Sequence, residues 1–437
     1  MERRIKILIT EMGCLKNKGN YSILKGTIKA FTKYFPNAEF VVMTHGPKEE
    51  IKEFEIKAVP SISKVPLHPS MTVRMFETIL GISKLFAAMI FASFLEISVS
   101  QKQQSILTEK ISQLKEYASA DLIVVRGSDT LTDRYGMFGL DSLLMRCFGI
   151  LIGVLMKKPT VICGHSIGPF NTRFSRFLAR FVFDRVSLIT VRENISKENL
   201  KKLNVENPNI FETADLAFLV EPAPPNRAKE ILTEEKVPLD KPLVGISVSR
   251  LIADYIQMKP RKRAYATYIE FMAEITDFIV ETFNVTVVFI PHVVGPGKKY
   301  DDRLVSKDVY RLVKTKDRAK EITGDYSPEE LRSLIGNFEI FVGARMHAVI
   351  SALSMHVPSL VFAYLPKAQG IMKTVGQEEY VYNIERLNYE EVTEKISKLW
   401  ENRENIRKQL RERMKNVREK SFLNAKLAFY LVKPIRG

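Results

Sequence analysis

Short runs of branched and aromatic apolar residues recur through most of this sequence, and stretches with helical spacing separate them. This alternation constrains the fold more than any other feature, because strands that are joined by helices pair in parallel within one sheet. Parallel sheets are covered by helices on both faces, so their strands are continuously apolar. We predict strands at residues 5–10, 39–43, 121–125, 160–163, 188–191, 215–219, 243–248, 285–290, 339–342 and 359–364.

The chain is long enough for two or three domains, because it has 437 residues and 46% of them are hydrophobic. Clustered prolines between residues 221 and 227 interrupt both helix and strand, which makes this stretch the best linker. We therefore predict an α/β protein with two Rossmann-like domains, at residues 1–222 and 228–385, each with a parallel sheet. The pattern of residues 388–437 is helical and highly charged.

The charge balance is strongly basic, with 66 Lys and Arg against 50 Asp and Glu and a formal net charge of +16. Such an excess favours an anionic partner, although a solvated surface explains it equally well. Lys and Arg are dense between residues 403 and 420, but no aromatic stacking pattern or recognised RNA motif accompanies them. We expect a solvated surface helix there and no nucleic acid partner.

The location of the protein is predicted from its cysteines and its apolar runs. Three isolated cysteines without disulfide or zinc spacing indicate a reducing compartment, and hence the cytoplasm. No apolar run reaches the ~18 residues that span a bilayer. The apolar segment 85–95, within a stretch at about 61–115 that looks like an insertion, either dips into an anionic membrane surface or packs against the first domain. The expectation is a peripheral contact with the inner face of the cell membrane.

Arginine and histidine side chains directly follow several of the predicted strands. The carboxyl ends of parallel strands meet at one edge, where ligands of open α/β sheets bind. The residues at these corners are Arg126, His165, Arg192, His292, Arg345 and His347. Arg forms bidentate contacts with phosphate or carboxylate, and His exchanges protons near neutral pH. The structural alternatives are a buried His, a helix cap with a salt bridge at Arg192 and Glu193, and an Arg345 paired with a carboxylate such as Asp301 or Asp325.

Several classes of catalytic site are absent from the sequence. It has no carboxylate pair suited to glycoside hydrolysis, no G-x-S-x-G, no Walker lysine loop and no H-x-x-x-H metal pair. Gly13 and Gly19 allow a tight turn before a helix that begins near Asn20, where backbone N–H groups either hold an anion or belong to a plain βα loop. We expect an anionic substrate such as a phosphate ester, with no metal and no cofactor.

The motifs at these corners resemble those of the polysaccharide pyruvyl transferase family, over about residues 5–380. The Arg-x-His-Ala corner together with the Gly-Pro loop is the most specific part of the resemblance. The matching pieces are the loop at 17–20, Arg-Gly-Ser-Asp at 126–129, His-Ser-Ile-Gly-Pro at 165–169, Val-Arg-Glu at 191–193, Thr-Ala-Asp at 213–215, Gly-Ile-Ser at 245–247, Ile-Pro-His at 290–292 with Asp301, and Gly-Ala-Arg-Met-His-Ala at 343–348 with Tyr364 and Lys367.

The resemblance implies an architecture like that of two-domain GT-B glycosyltransferases, with the site in the interdomain cleft and residues 388–437 packing back on the first domain. It implies transfer of the enolpyruvyl group of phosphoenolpyruvate, a donor substrate, to a sugar or lipid-linked sugar of a cell-surface polysaccharide or glycolipid precursor. Arg345 would bind the donor, His347 or His292 would supply a proton, and His165 would position the acceptor. The other implied substrate-binding residues are Arg192, Arg126, Asn17, Gly19, Asn20, Ser166 and Lys367.

Two alternatives stay open at this point. One is a GT-B-type glycosyltransferase that uses a nucleotide sugar, and the other is a non-catalytic protein that binds an anionic glycan or lipid through its basic surface. The sequence does not indicate an oligomeric state.

Overall fold

The computed structural model describes residues 4–62, 101–134, 137–258, 260–295, 297 and 300–432. Contacts among these residues group them into two compact units. The first unit contains the described residues of Met1–Cys14, Thr27–Asp215 and Phe422–Gly437, and the second contains those of Leu15–Gly26 and Leu216–Ser421. The loop before the first helix, which the sequence analysis included in the first domain, therefore has its contacts in the second unit. The domain limits drawn from the sequence stay a proposal.

A seven-stranded parallel sheet forms the centre of the first unit. Its strands are β1 (Lys6–Met12), β2 (Glu39–Thr44), β3 (Lys57–Pro60), β4 (Leu122–Val125), β5 (Thr160–His165), β6 (Leu188–Val191) and β7 (Ile210–Glu212). They pair in the order β3-β2-β1-β4-β5-β6-β7, so the direction of strand addition reverses between β1 and β4. Strands β4, β5 and β6 are buried along their whole length, as expected when helices cover both faces.

The helices of the first unit connect these strands. They are α1 (Lys18–Tyr34), of which the first turns belong to the second unit, α2 (Gln101–Ser119), α3 (Met137–Leu155), α4 (Arg173–Phe183) and α5 (Asn194–Lys202). A 3-10 helix, Lys48–Phe54, joins β2 to β3. Apolar side chains of α3 and α4 pack with those of β5 and β6 in one core cluster.

A six-stranded parallel sheet forms the centre of the second unit. Its strands are β8 (Leu243–Ser247), β9 (Thr286–Phe289), β10 (Ala319–Glu321), β11 (Ile340–Gly343), β12 (Ser359–Ala363) and β13 (Val381–Asn383). Their order is β10-β9-β8-β11-β12-β13, so the reversal lies between β8 and β11. Doubly wound sheets bind ligands outside the carboxyl ends of the strands at such a reversal.

The helices of the second unit follow the same alternation. They are α6 (Pro225–Glu234), α7 (Arg250–Ala253), α8 (Arg261–Phe283), α9 (Asp302–Leu312), α10 (Pro328–Ile335), α11 (Met346–Ser354), α12 (Pro366–Thr374), α13 (Tyr389–Glu401) and α14 (Arg403–Val432). The residues of α14 from Phe422 onward belong to the first unit. There the Asn424 side chain accepts from Thr213 Oγ1 at 2.9 Å and donates to the Ala214 carbonyl at 3.0 Å.

Two predictions about local structure are wrong. Residues 215–219 are not a strand, because Leu216–Leu219 forms a 3-10 helix, and the edge strand is β7 instead. The prolines at 221–227 do not form an uninterrupted linker, since α6 begins at Pro225 and proline is favoured in the first turn of a helix. Both errors arise because a short apolar or proline-rich run does not reveal which conformation its neighbours impose.

Two points concern the predicted membrane contact. The apolar segment 85–95 and most of the proposed insertion at 61–115 lie outside the described residues. Among the residues that the structure describes, no helix has the length and apolar character to cross a membrane.

Candidate active site

The junction of β11 and α11 lies at the reversal point of the second sheet. Arg345 is the N-cap residue of α11, and its extended backbone (φ −108°, ψ 114°) turns the chain from strand into helix. The end of β8 holds this corner, because Ser247 Oγ accepts from the backbone N–H of Ala344 at 3.1 Å. The Arg345 side chain therefore starts from a position that the two central strands fix.

The guanidinium of Arg345 forms a buried ion pair with Asp302, the first residue of α9. Its Nε donates to both carboxylate oxygens at 3.1 Å, and its Nη2 donates to Oδ1 at 2.6 Å. Burial raises the pKa of Asp302, and the neighbouring arginine opposes that rise; the charge of Asp302 raises the pKa of Arg345 against the effect of burial. The structural alternative was correct in kind but named the wrong partners, because Asp301 bonds Arg303 and Asp325 bonds two lysines.

Asp302 also fixes the loop that carries His292. Its Oδ2 accepts from the backbone N–H groups of His292 at 3.1 Å and Val293 at 2.9 Å. One carboxylate thus connects the end of β9, the start of α9 and Arg345, although sequence reasoning did not select it. The sequence shows two consecutive aspartates, Asp301 and Asp302, shortly after His292. It does not show which of them caps α9 and which bonds Arg345.

The imidazole of His292 is buried, with 1% of the residue exposed. Neither ring nitrogen has a hydrogen-bond partner among the described residues. Burial first, and then the nearby His347, Arg345 and Lys18, hold the pKa of His292 well below its usual range. The ring is therefore neutral at pH 7, with one N–H donor and one nitrogen acceptor that are both unpaired among the described residues.

The loop before α1 lies against the His292 loop. Asn17 forms a β-bridge with Val293, and the Lys18 N–H donates to the His292 carbonyl at 3.0 Å. The ammonium groups of Lys16 and Lys18 each lie 2.5 Å from Asp325, whose pKa their hydrogen bonds hold below its usual range despite burial. The predicted loop residues and His292 therefore meet in one place within the second unit.

Gly19 brings the start of α1 onto the ring of His347. A Cβ atom on Gly19 would lie 2.4 Å from His347 Nδ1 and 2.7 Å from its Cγ, closer than real Cβ contacts. Asn17 Oδ1 accepts from the Gly19 N–H at 3.0 Å and fixes this turn. Any side chain here would displace the ring of His347, which explains the glycine that the loop motif carries.

The other predicted residues of this unit lie around the same edge. Asn20 follows in α1, where its N–H donates to the Asn17 carbonyl at 2.9 Å. Lys367 is half-buried in the first turn of α12. Tyr364, which directly follows β12, packs against Tyr255, with the two ring centroids 4.8 Å apart.

The predicted residues of the first unit form a second polar cluster. Arg126 follows β4 at the reversal point of that sheet, and its Nε donates to the Glu11 carbonyl at 2.9 Å. His165 Nδ1 donates to the Ser166 carbonyl at 2.7 Å, so its Nε2 accepts from Ser128 Oγ at 2.8 Å. Burial lowers the pKa of Arg126 to about 10 and that of His165 to about 3. His165 is consequently a neutral, fully bonded ring rather than a free acid.

Arg192 forms a salt bridge, as its structural alternative required, although with Asp215 rather than with Glu193. Its Nη1 donates to Asp215 at 2.6 Å, and its Nε donates to Ser166 Oγ at 2.7 Å. Glu193 caps α5 by accepting from the Ser196 N–H at 2.8 Å. Ser128 and Asp215 lie within the motifs quoted from the sequence, but sequence reasoning gave neither of them a role; in the structure they bond His165 and Arg192. Among the described residues, no group of three or more His, Cys, Asp or Glu is placed to hold a metal.

Comparisons with known proteins identify relatives at the levels of family, sequence and fold. The family model described as polysaccharide pyruvyl transferase matches residues 17–366. The amylovoran biosynthesis protein AmsJ of Erwinia amylovora is 24% identical over 99% of this chain and 100% of its own. UDP-GlcNAc 2-epimerase of Neisseria meningitidis bound to UDP-GlcNAc superimposes with a TM-score of 0.55 at 13% identity, over 99% of each chain.

Other solved structures agree on the fold. A putative UDP-N-acetylglucosamine 2-epimerase of Listeria monocytogenes covers 93% of this chain and 91% of its own, with a TM-score of 0.55 and 15% identity. A glycosyltransferase of Rickettsia africae covers 99% and 97%, with a TM-score of 0.52 and 11% identity. At these identities the likeness establishes the GT-B-like fold alone.

Proposed function

The chain belongs to the polysaccharide pyruvyl transferase family, and we propose that it transfers the enolpyruvyl group of phosphoenolpyruvate to a sugar of a cell-surface polysaccharide or glycolipid precursor. The family is one of transferases, and the amylovoran relative is named for polysaccharide biosynthesis. The observation that carries the donor assignment is the buried, neutral His292, which lies beside the Arg345–Asp302 pair at the reversal point of a doubly wound sheet.

Arg345 is the proposed anchor for the donor. Its Nε and Nη2 bind Asp302, whereas its Nη1 makes no hydrogen bond among the described residues. The ion pair fixes the orientation of the planar guanidinium, so the remaining N–H groups are preorganised for a carboxylate or phosphate oxygen. The N–H groups that begin α11 add a favourable field for the same anion.

The proton that the donor receives comes from His292, which becomes charged only when the donor is bound. In the free protein His292 is neutral, so it holds no transferable extra proton at pH 7. A bound phosphate and carboxylate oppose the cations that depress the pKa of His292, and they stabilise the imidazolium form. Donor binding therefore raises the pKa of His292 and loads the acid at the moment it is needed. His347, which lies against Gly19, is the alternative donor of the proton.

The reaction balances without an oxidant or a metal. The acid protonates the methylene carbon of phosphoenolpyruvate, and positive charge develops at the adjacent carbon. A sugar hydroxyl attacks that carbon and loses its proton, while a second hydroxyl of the same sugar displaces inorganic phosphate. The product is a cyclic pyruvate ketal plus phosphate. One hydroxyl proton restores the acid, and the other protonates the departing phosphate.

The test is acceptor-dependent phosphate release from phosphoenolpyruvate over a panel of sugars and sugar phosphates. We expect release with at least one acceptor, and its abolition in His292→Gln. The matched control is His356→Asn in the same unit, because His356 has φ 60° and asparagine tolerates that conformation. Turnover of a nucleotide sugar with no release from phosphoenolpyruvate would replace the proposal with the glycosyltransferase alternative.

A further inference from the structure

Helix α4 of the first unit has two separate apolar faces. It connects β5 to β6, and Ala179, Val182 and Phe183 are fully buried in the core cluster beneath it. A helix on the surface of a globular protein needs only one such face. The second apolar face of α4 therefore requires its own explanation.

That second face consists of three exposed phenylalanines. Phe174 is 50% exposed, Phe177 is 68% exposed and Phe181 is 38% exposed. At 3.6 residues per turn they fall within a wedge of about 60°. The rings of Phe177 and Phe181 stack with centroids 6.1 Å apart, so the stripe is continuous. A contiguous exposed aromatic stripe of this kind marks an interaction surface.

Arginines occupy the adjoining strip of the helix. Arg173, Arg176 and Arg180 fall within a neighbouring wedge of about 60°, and the helix contains no acidic residue. Arg180 is paired with Glu206 at 2.6 Å and with the C-cap residue Asp184 at 3.4 Å. Among the described residues Arg173 and Arg176 make no ion pair, and Arg176 donates instead to the carbonyls of Phe170 and Asn171. The charge beside the aromatic stripe is thus positive and only partly compensated.

Around the axis of α4, the face buried in the core is followed by the strip of arginines and then by the stripe of exposed phenylalanines. We propose that the Phe174–Phe177–Phe181 stripe is a docking surface for an anionic phospholipid bilayer, on which α4 lies in the plane of the membrane. Aromatic side chains enter the boundary between headgroups and acyl chains, and arginines bind the phosphates of the headgroups.

The charge pattern separates this occupant from a second copy of the chain. A two-fold interface between antiparallel copies of α4 would place the same patch against itself, and so would bring the arginine strips of both copies together. Like charges held close across an interface oppose association, whereas an anionic membrane complements them along the whole strip. The net charge of +16 acts in the same direction at long range.

The proposal is tested by flotation of the full chain with vesicles of phosphatidylcholine alone and with added phosphatidylglycerol. We expect binding to the anionic vesicles only. Phe177→Glu should weaken it by roughly tenfold or more, because an inserted ring is lost and a negative charge is added. Arg173→Gln should weaken it by about fivefold, since each basic residue near the surface contributes a factor of that order.

The control is Tyr430→Glu, the same kind of change at another helical position of the first unit, where the side chain is 55% exposed. It should leave vesicle binding unchanged, and all variants should keep the wild-type circular dichroism spectrum and melting temperature. Equal binding of wild type and Phe177→Glu would overturn the proposal. So would wild-type dimers in ultracentrifugation that Phe177→Glu converts to monomers without any effect on vesicle binding. Neither outcome bears on transfer from phosphoenolpyruvate.

Discussion

Replacing Gly19 with alanine tests the contact between the first loop and His347. The added Cβ would lie 2.4 Å from His347 Nδ1, and ordinary contact begins at 3.4 Å, so the ring must retreat by about 1 Å. Helix propensity alone favours alanine over glycine by about 1 kcal/mol, whereas overpacking costs about 1–3 kcal/mol. The two effects nearly cancel in stability, which makes activity the informative readout.

A displacement of about 1 Å at a reacting group lowers turnover by about a hundredfold. We therefore expect Gly19→Ala to lose activity on that scale in the phosphate-release assay, with a urea midpoint close to that of wild type. The matched control is Gly336→Ala in the same unit, where the new Cβ would meet the terminal Cε of Met355 at 2.6 Å. That flexible end moves away easily, so this variant should stay fully active. Full activity in Gly19→Ala would refute the placement of His347 in the site.

Four further predictions follow from the same contacts. Arg345→Ala should destabilise the protein by about 3–5 kcal/mol in urea unfolding, because it leaves the buried Asp302 unpaired, and a melt like that of wild type would contradict the ion pair. In histidine-labelled NMR spectra, the resonance that disappears in His292→Gln should report a ring whose pKa lies well below that of an ordinary histidine, and phosphoenolpyruvate should raise that pKa; no shift with the donor would remove the loaded-acid mechanism. The free energy of unfolding should fall as the pH drops from about 6.5 towards about 3, because His165 becomes protonated in the unfolded chain but, with a pKa of about 3, stays neutral in the folded protein. His165→Gln should make the free energy of unfolding depend less on pH over this range, and an unchanged slope would count against the neutral tautomer. Asp325→Asn removes the carboxylate that bonds Lys16 and Lys18 beside the His292 loop and should raise the KM for the donor more than it lowers kcat, whereas unchanged kinetics would show that donor binding does not need these two ion pairs.

The fold class and the family resemblance are confirmed, and the opening alternation of strand and helix explains why. Strands that are buried on both faces must be apolar throughout, so β4, β5, β8 and β11 are visible in the sequence. The edge strands β7, β10 and β13 have only three residues each and were not predicted. Their pairing depends on the neighbouring strand rather than on their own composition.

The sequence predicted which residues belong to the candidate site, but not their contacts or their protonation states. His292 and Arg345 follow buried strands, and that placement is local. The neutral state of His292 arises from burial and from cations distant in sequence, and the partner of Arg345 lies 43 positions away in the chain. The contact between Gly19 and His347 likewise joins the beginning of the chain to α11. Tertiary packing decides these features, and one sequence does not encode them in any local pattern.

The most direct test of the central claim is to run the transfer in deuterium oxide and to analyse the product by NMR. If an acid of the site protonates the methylene carbon of phosphoenolpyruvate, the transferred group becomes a ketal whose methyl carries deuterium from the solvent. His292→Gln should suppress formation of this product, while His356→Asn should give it at the wild-type rate. A product that retains the methylene group, or a ketal without solvent deuterium, would contradict acid-initiated formation of a pyruvate ketal at this site.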